Sequence, residues 1–265
     1  MKKQNGILTT IVLLFTLSTL AQNVHSIIYL AVPKANTQEF MYLHKKFTDL
    51  SAGEDRTLLH TWLFNHARGG DYSMMIVDVY PSQEAMHQDK PREVLKKNIE
   101  ALNLTEEEEA AIKVEWKRYL SLYIEGHTDE TRILIKPEEY LYSSDAFDPS
   151  KKMIVISALF DVKYSDMEEF TAIAHNAYTK LAIERGNATL IFQSSHLTGS
   201  GLSVEIVSFF PSWEAFAADE KVLHAGNPDM KEEWLRFFEL MHGHYDEITI
   251  LLGTNWQSKT FNFSK

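Results

Sequence analysis

The chain has 265 residues, 45% of them apolar, with a formal charge of −11 and no cysteine. The missing thiols exclude thiol nucleophiles, thiolate metal sites and disulfides, so any core must hold by packing alone. The acidic balance argues against nucleic acid or an anionic lipid surface as a partner, and the length allows one large domain or two small ones.

The N-terminus reads as a signal peptide within residues 1–22. Lys2 and Lys3 precede an apolar run from Ile7 to Leu20, and small residues surround a cut after Ala21. The run is shorter than the ~18 residues of a spanning helix. The expected mature chain is therefore exported, periplasmic or secreted, and free of the membrane.

From residue 25 the elements follow in order. "SIIYLAV" (26–32) is short and β-branched, hence a buried strand. Asn36 or Thr37 caps a helix whose Phe40, Leu43, Phe47 and Leu50 share one face, and Gly53 ends it. "TLLHTWLF" (57–64) and "YSMMIVDVY" (72–80) read as strands joined by the loop "NHARGGD". Ser82 caps the next helix, with Glu84 in its first turn. Thr105 and Glu108 form a capping box for a long helix carrying Trp116, Tyr119 and Tyr123, and "TRILI" (131–135) is the last strand.

The same order then recurs. "YSMMIVDVYPSQEAMHQDK" (72–90) aligns without gaps on "LSVEIVSFFPSWEAFAADE" (202–220), with eight identities in nineteen positions. At the same offset of 130, Phe40 falls on Phe170, His66 on His196 and Gly69 on Gly199. "GHTDETRIL" (126–134) returns as "GHYDEITIL" (243–251), and Glu115-Trp116 returns as Glu233-Trp234. The spacing predicts unit one over 25–136, a polar linker over 137–152, unit two over 153–253 and a tail over 254–265. Asn227-Pro228 serves as N-cap and N1 of the final helix of unit two.

Each unit reads β-α-β-β-α-β, the split βαβ of ferredoxin-like domains, whose open sheet face needs a partner. With this order, and with "IVDVYPSQEA" and "IVSFFPSWEA" running a strand directly into a Ser-capped helix, the chain resembles the dimeric α/β-barrel superfamily. That group includes antibiotic-biosynthesis-type monooxygenases, haem-degrading enzymes, chlorite dismutase-like haem proteins and stress-responsive barrel proteins. The resemblance covers nearly all of the mature chain. It implies an α+β fold in which two ferredoxin-like units fuse into one pseudo-dimeric α/β barrel; function is not implied, because the fold hosts unrelated activities.

Candidate site residues follow from strand alternation. His60, Trp62, Phe64 and His66 share one face of the second strand, and Leu190, Phe192, Ser194 and His196 share the matching face in unit two. His66 and His196 recur in both copies, as imidazoles for general-base or ligand roles or as hairpin residues bonded to a turn. His60 and Trp62 belong to unit one alone, where a flat aromatic ligand or an ordinary buried Trp explains them. With Phe192 these make the expected ligand-binding set. His127, Asp129, His244 and Asp246 are weak metal candidates, because two donors at i, i+2 do not make a site. The plainer reading ends a helix at Gly126 and Gly243 in the left-handed conformation and starts an edge strand there. Trp116 and Trp234 with Tyr119 and Phe237 read as core anchors, and the near-alignment of His44 with His175 as coincidence.

Two functions fit. One is an exported protein that binds a small apolar or aromatic molecule. The other is an oxidoreductase of the cofactor-independent monooxygenase or haem-binding type. Apolar inward positions and the lack of a fixed acid–base pair favour binding without assignable catalysis; the residues leave open whether the chain is an enzyme. No cofactor is required, and haem is an option only through the resemblance.

Overall fold

A computed structural model describes residues 23–225, 231–256 and 260–265. The expected signal peptide and the Asn227-Pro228 cap lie outside the described residues. Unit one contains β1 (Val24–Leu30), α1 (Thr37–Leu50), β2 (His60–Arg68), β3 (Met74–Tyr80), α2 (Gln83–Gln88), α3 (Pro91–Ala101), α4 (Glu106–Ile124) and β4 (His127–Leu134). The connection forms α5 (Pro137–Tyr140) and β5 (Tyr142–Ser143). Unit two contains β6 (Ile154–Val162), α6 (Met167–Ala174), α7 (Lys180–Arg185), β7 (Leu190–Gly199), β8 (Val204–Phe210), α8 (Trp213–Ala225), α9 (Lys231–Leu240) and β9 (Met241–Thr254). A short β10 (Asn262–Phe263) pairs with β9. One π turn, His175–Thr179, joins α6 to α7.

The strands pair in the order β9-β2-β3-β1-β4-β7-β8-β6, and β6 pairs back onto β9, so eight antiparallel strands close a barrel. Within each unit the order is that of a ferredoxin-like sheet, and the α+β pseudo-dimer expected from the repeat is the observed architecture. Two seams join the units, β4 with β7 and β2 with β9. Closure pairs every barrel strand on both sides over part of its length. β4 meets β7 from Glu130 onward and β9 meets β2 from Ile248 onward, whereas residues 127–129 pair only with β1 and residues 244–247 only with β6. The Gly-His-x-Asp-Glu repeat thus starts each strand at an open edge, as expected, and leads into the seam.

Local chemistry explains the element ends. The Ser82 hydroxyl accepts the Ala85 amide, and Thr105 with Glu108 forms the expected capping box. Gly126 has φ of +78° just past α4, the left-handed residue that ends a helix. Gly243 differs. It lies inside β9, paired with Asp161, because α9 runs directly into the strand.

Alternation divides the side chains into three cores. Inward residues of all eight strands fill the barrel lumen, among them Ile27, Trp62, Phe64, Val77, Phe192, Phe209 and Leu251. Outward residues pack under the helices of each unit, around Phe40, Phe47 and Tyr119 in unit one and Phe160, Phe170 and Phe237 in unit two. An eight-stranded barrel is just wide enough for its own side chains. Phe147 of the connection and Trp256 pack against the aromatic end of the lumen.

Candidate functional site

The lumen holds the residues singled out by alternation, at two different ends. At one end His60 stacks on Trp62 with centroids 5.5 Å apart and meets Trp256 at 4.3 Å, while Phe192 receives the edge of His25 at 5.3 Å. At the other end lie His66 and His196. His66 Nε2 accepts the Gly70 amide at 3.1 Å and its ring lies 4.3 Å from Tyr72. His196 sits opposite Arg132 across the β4–β7 seam, with a buried Nε2 that has no hydrogen-bond partner among the described residues.

Between these histidines is a charged cluster that the sequence reading passed over. Arg132 is completely buried; its Nε lies 2.5 Å from Glu130 Oε1 and 3.4 Å from Glu205 Oε2, and its Nη2 donates to the Leu202 carbonyl at 2.8 Å. Tyr29 donates to Glu130 at 3.0 Å, Ser194 to Glu205 at 2.9 Å and Tyr72 to Glu247 at 2.6 Å. Three carboxyls face one guanidinium. Burial, and then the neighbouring carboxylates, push Glu130 up and Glu247 up to about 6, against the pull of Arg132 and the tyrosine bonds. Glu130 and Glu247 are the glutamates of the two Gly-His-x-Asp-Glu copies. Their His and Asp partners face outward instead: His127 Nδ1 donates to the Ile124 carbonyl at 2.9 Å, and His244 lies 2.9 Å from Asp246. Among the described residues no group of three or more such side chains could hold a metal ion.

Open space lies on the other side of the sheet. A cavity of about 240 Å³ separates the sheet of unit one from its helices. Asp78 and Thr61, cross-strand neighbours on β3 and β2, form part of its floor. The α4 residues Trp116, Tyr119 and Tyr123, with Phe47 and His44 from α1, form aromatic walls, and the exposed Pro91 and Arg92 stand at the rim. Asp78 follows from strand parity: in "MMIVDVY" the inward residues are Met75, Val77 and Val79, which sends Asp78 outward beneath the helices. Its carboxyl is held above the usual range by burial, and the Thr61 hydroxyl and the Arg56 charge offset this only in part. Arg56 is committed elsewhere, in a bidentate pair with Asp89 at 2.7 and 2.8 Å that also receives the Tyr80 hydroxyl.

His44 Nδ1 lies 3.0 Å from the Tyr119 hydroxyl, and its Nε2 has no hydrogen-bond partner among the described residues. Burial drives this imidazole down to about 3, so it is neutral across the working range.

Unit two does not repeat this chemistry. Ser208 and Ile191 stand where unit one has Asp78 and Thr61, Ala174 replaces His44, and Phe237 and Met241 replace Tyr119 and Tyr123. Tyr178 from the π turn reaches into the space, with its hydroxyl 3.4 Å from Ser208. The buried ion pair is kept in both copies, Arg185 with Asp219 matching Arg56 with Asp89. At about 240 Å³ unit one's cavity suits a small aromatic molecule and is too small for a porphyrin. Among the described residues of unit two, Phe160, Phe170, Phe237 and Tyr178 pack beneath the helices.

No protein-family model and no curated protein matches the sequence. Solved structures do. A provisionally named monooxygenase from Fusobacterium nucleatum subsp. nucleatum is similar with a TM-score of 0.58 at 11% identity, over 88% of this chain and 93% of that one. An anthrone oxidase-like protein gives 0.58 at 13% identity, over 88% and 92%. A second provisionally named monooxygenase, from Lactobacillus acidophilus NCFM, gives 0.54 at 11% identity, over 92% and 97%. Identities this low carry the fold alone. The chain has the fold of the dimeric α/β-barrel proteins, built as a tandem fusion of two ferredoxin-like units.

Proposed function

We propose that the protein binds a small aromatic molecule bearing an acidic proton in the helix-side cavity of unit one, and promotes its reaction with dioxygen without a cofactor. The observation that carries this reading is Asp78, a carboxylate on the floor of an aromatic-walled cavity with its nearest cation already spent on Asp89. A carboxyl raised by burial is the tuning expected of a general base working near neutrality. In the balanced reaction, a ring-activated CH₂ group gives one proton to Asp78, the carbanion passes its electrons to dioxygen and bonds to it, and Asp78 returns the proton to the peroxide anion to give a hydroperoxide. Asp78 then takes the remaining C–H proton as the O–O bond breaks, which leaves a ketone, and passes that proton to the departing hydroxide to form water. The names carried by the similar structures belong to the same reaction class.

The test is oxygen uptake with anthrone as probe. Wild-type protein is expected to consume one dioxygen per anthrone, and Asp78→Asn to lose at least about a hundredfold of that rate, the lower end of what a positioned base supplies. Equal rates in both proteins would remove Asp78 from the chemistry. Tight anthrone binding without oxygen uptake would leave the protein a binding protein for aromatic molecules.

We also infer export from the Lys2-Lys3 start, the apolar run and the small residues near Ala21. An N-terminus beginning near Gln22 on the exported protein is the expected finding.

A further inference from the structure

We propose that the cavity of unit one receives its ligand as an oxyanion, a phenolate or enolate whose oxygen accepts from the Tyr119 hydroxyl, and that His44 is the positioning residue that turns this hydroxyl into a donor. The inference rests on the cavity being the ligand site and adds the ligand's ionisation state and the group that recognises it.

The argument turns on one proton. His44 Nδ1 and the Tyr119 hydroxyl are 3.0 Å apart, and either atom can donate. His44 is 3% exposed and neutral, so only one of its ring nitrogens carries hydrogen. Its Nε2 is buried without a partner among the described residues. A buried N–H without an acceptor is rarer than an acceptor left without a donor. The proton therefore belongs on Nδ1, which donates to Tyr119 Oη. The phenol hydrogen of Tyr119 is then free to point away from His44, toward the cavity that Tyr119 lines. Burial, with the negative charge of Asp78 adding to it, keeps Tyr119 protonated. Phe40 and Phe47 stack on the Tyr119 ring at 5.7 and 5.5 Å and fix its plane, so the hydroxyl is preorganised.

Opposite this donor lies Asp78. A ligand hydroxyl or activated C–H placed between the two gives its proton to Asp78 while its oxygen is held by Tyr119, so the pair carries one negative charge in either proton arrangement. In unit two the replacements Ala174, Phe237 and Ser208 remove the positioning group, the donor and the base together. Losing all three in one copy fits three groups with a joint task.

The experiment measures binding of 4-nitrophenol and of its methyl ether, 4-nitroanisole, and follows the ionisation of the bound phenol by its absorbance as pH is varied. It uses wild type, Tyr119→Phe, His44→Phe and His44→Asn, each first checked for a wild-type unfolding midpoint. The phenol is expected to bind wild type about tenfold or more tightly than the ether, as a hydrogen bond to a charged group allows. Tyr119→Phe should bring the two ligands near parity and raise the pH at which the bound phenol ionises by about one unit. His44→Phe should do the same although Tyr119 is intact, and His44→Asn, which restores an N–H at the Nδ1 position, should recover most of the preference. A His44→Phe protein with the wild-type preference and ionisation would overturn the positioning role. Equal binding of phenol and ether by wild type would overturn the oxyanion reading while leaving a ring-binding cavity. Binding of neither would overturn the cavity reading and this one with it.

Discussion

Replacing Arg132 with Met is expected to lower the unfolding free energy by about 3–5 kcal/mol at pH 8, the usual cost of removing one partner from a buried charge cluster. Among the described residues Arg132 is the only cation paired with the three buried glutamates of the lumen, two of them on strands that form the seams between the units. Its removal leaves carboxylates in a low-dielectric space with only tyrosine and serine hydroxyls to replace water. The effect should shrink toward pH 5 as the glutamates take up protons, and the double variant with Glu130→Gln should recover part of it. Urea unfolding at constant m reads the change as a shift in midpoint. A midpoint within about 1 kcal/mol of wild type would mean that the lumen charges are solvated and do not act on the seams.

Stability should also fall steeply in mild acid, because of histidines rather than carboxylates. His25 is held down at about 4, and His44 and His60 at about 3, each chiefly by burial. Their folded values lie below the unfolded 6.5, so the unfolded chain binds the extra protons as pH drops. Their contribution is complete above 6.5 and is lost progressively below it. Between pH 6.5 and 5 each costs on the order of 2 kcal/mol, so the three together rival the whole stability of an ordinary domain. Glu247 opposes them. Its carboxyl is raised to about 6, so its cost is present above that pH and fades on the way down to its ordinary 4.5. Glu247→Gln should therefore be more stable than wild type at pH 8 by about 1–2 kcal/mol and should lose stability faster on acidification. Thermal unfolding between pH 8 and 5 provides the check, and a flat profile would show that the imidazoles are not buried in neutral form.

The architecture was legible because it rests on patterns the sequence repeats. Period-two strands, a Ser cap at residue 82, a capping box at residues 105 and 108, and an offset of 130 between two copies determine one ferredoxin-like unit and its duplicate. Burial of two open sheet faces against each other then follows. The functional side of the sheet was not legible in the same way. Alternation says which residues share a face, as it did for His60, Trp62 and His66, but not which face keeps open space. In an eight-stranded barrel the lumen fills with side chains, and the helices stand off from the outer face wherever small or polar residues line it.

Asp78 was visible as a lone carboxylate in an apolar strand, matched by Ser208 in the second copy, and Glu205 was visible in the same way in "LSVEIV". The repeated Gly-His-x-Asp-Glu drew attention to its His and Asp, which turn outward, while the Glu of each copy enters the lumen. His44 has no counterpart in His175, which opens the π turn of unit two and stacks on Tyr140. Its value appears only with Tyr119, 75 residues away in sequence.

The most direct test is a crystal structure of the protein with 4-nitrophenol bound. Density is expected against Trp116 and Tyr119, with the phenol oxygen within hydrogen-bonding distance of the Tyr119 hydroxyl and of Asp78. Density in the lumen against His60, Trp62 and Phe192, with the helix-side cavity left to water, would contradict the assignment of the functional site.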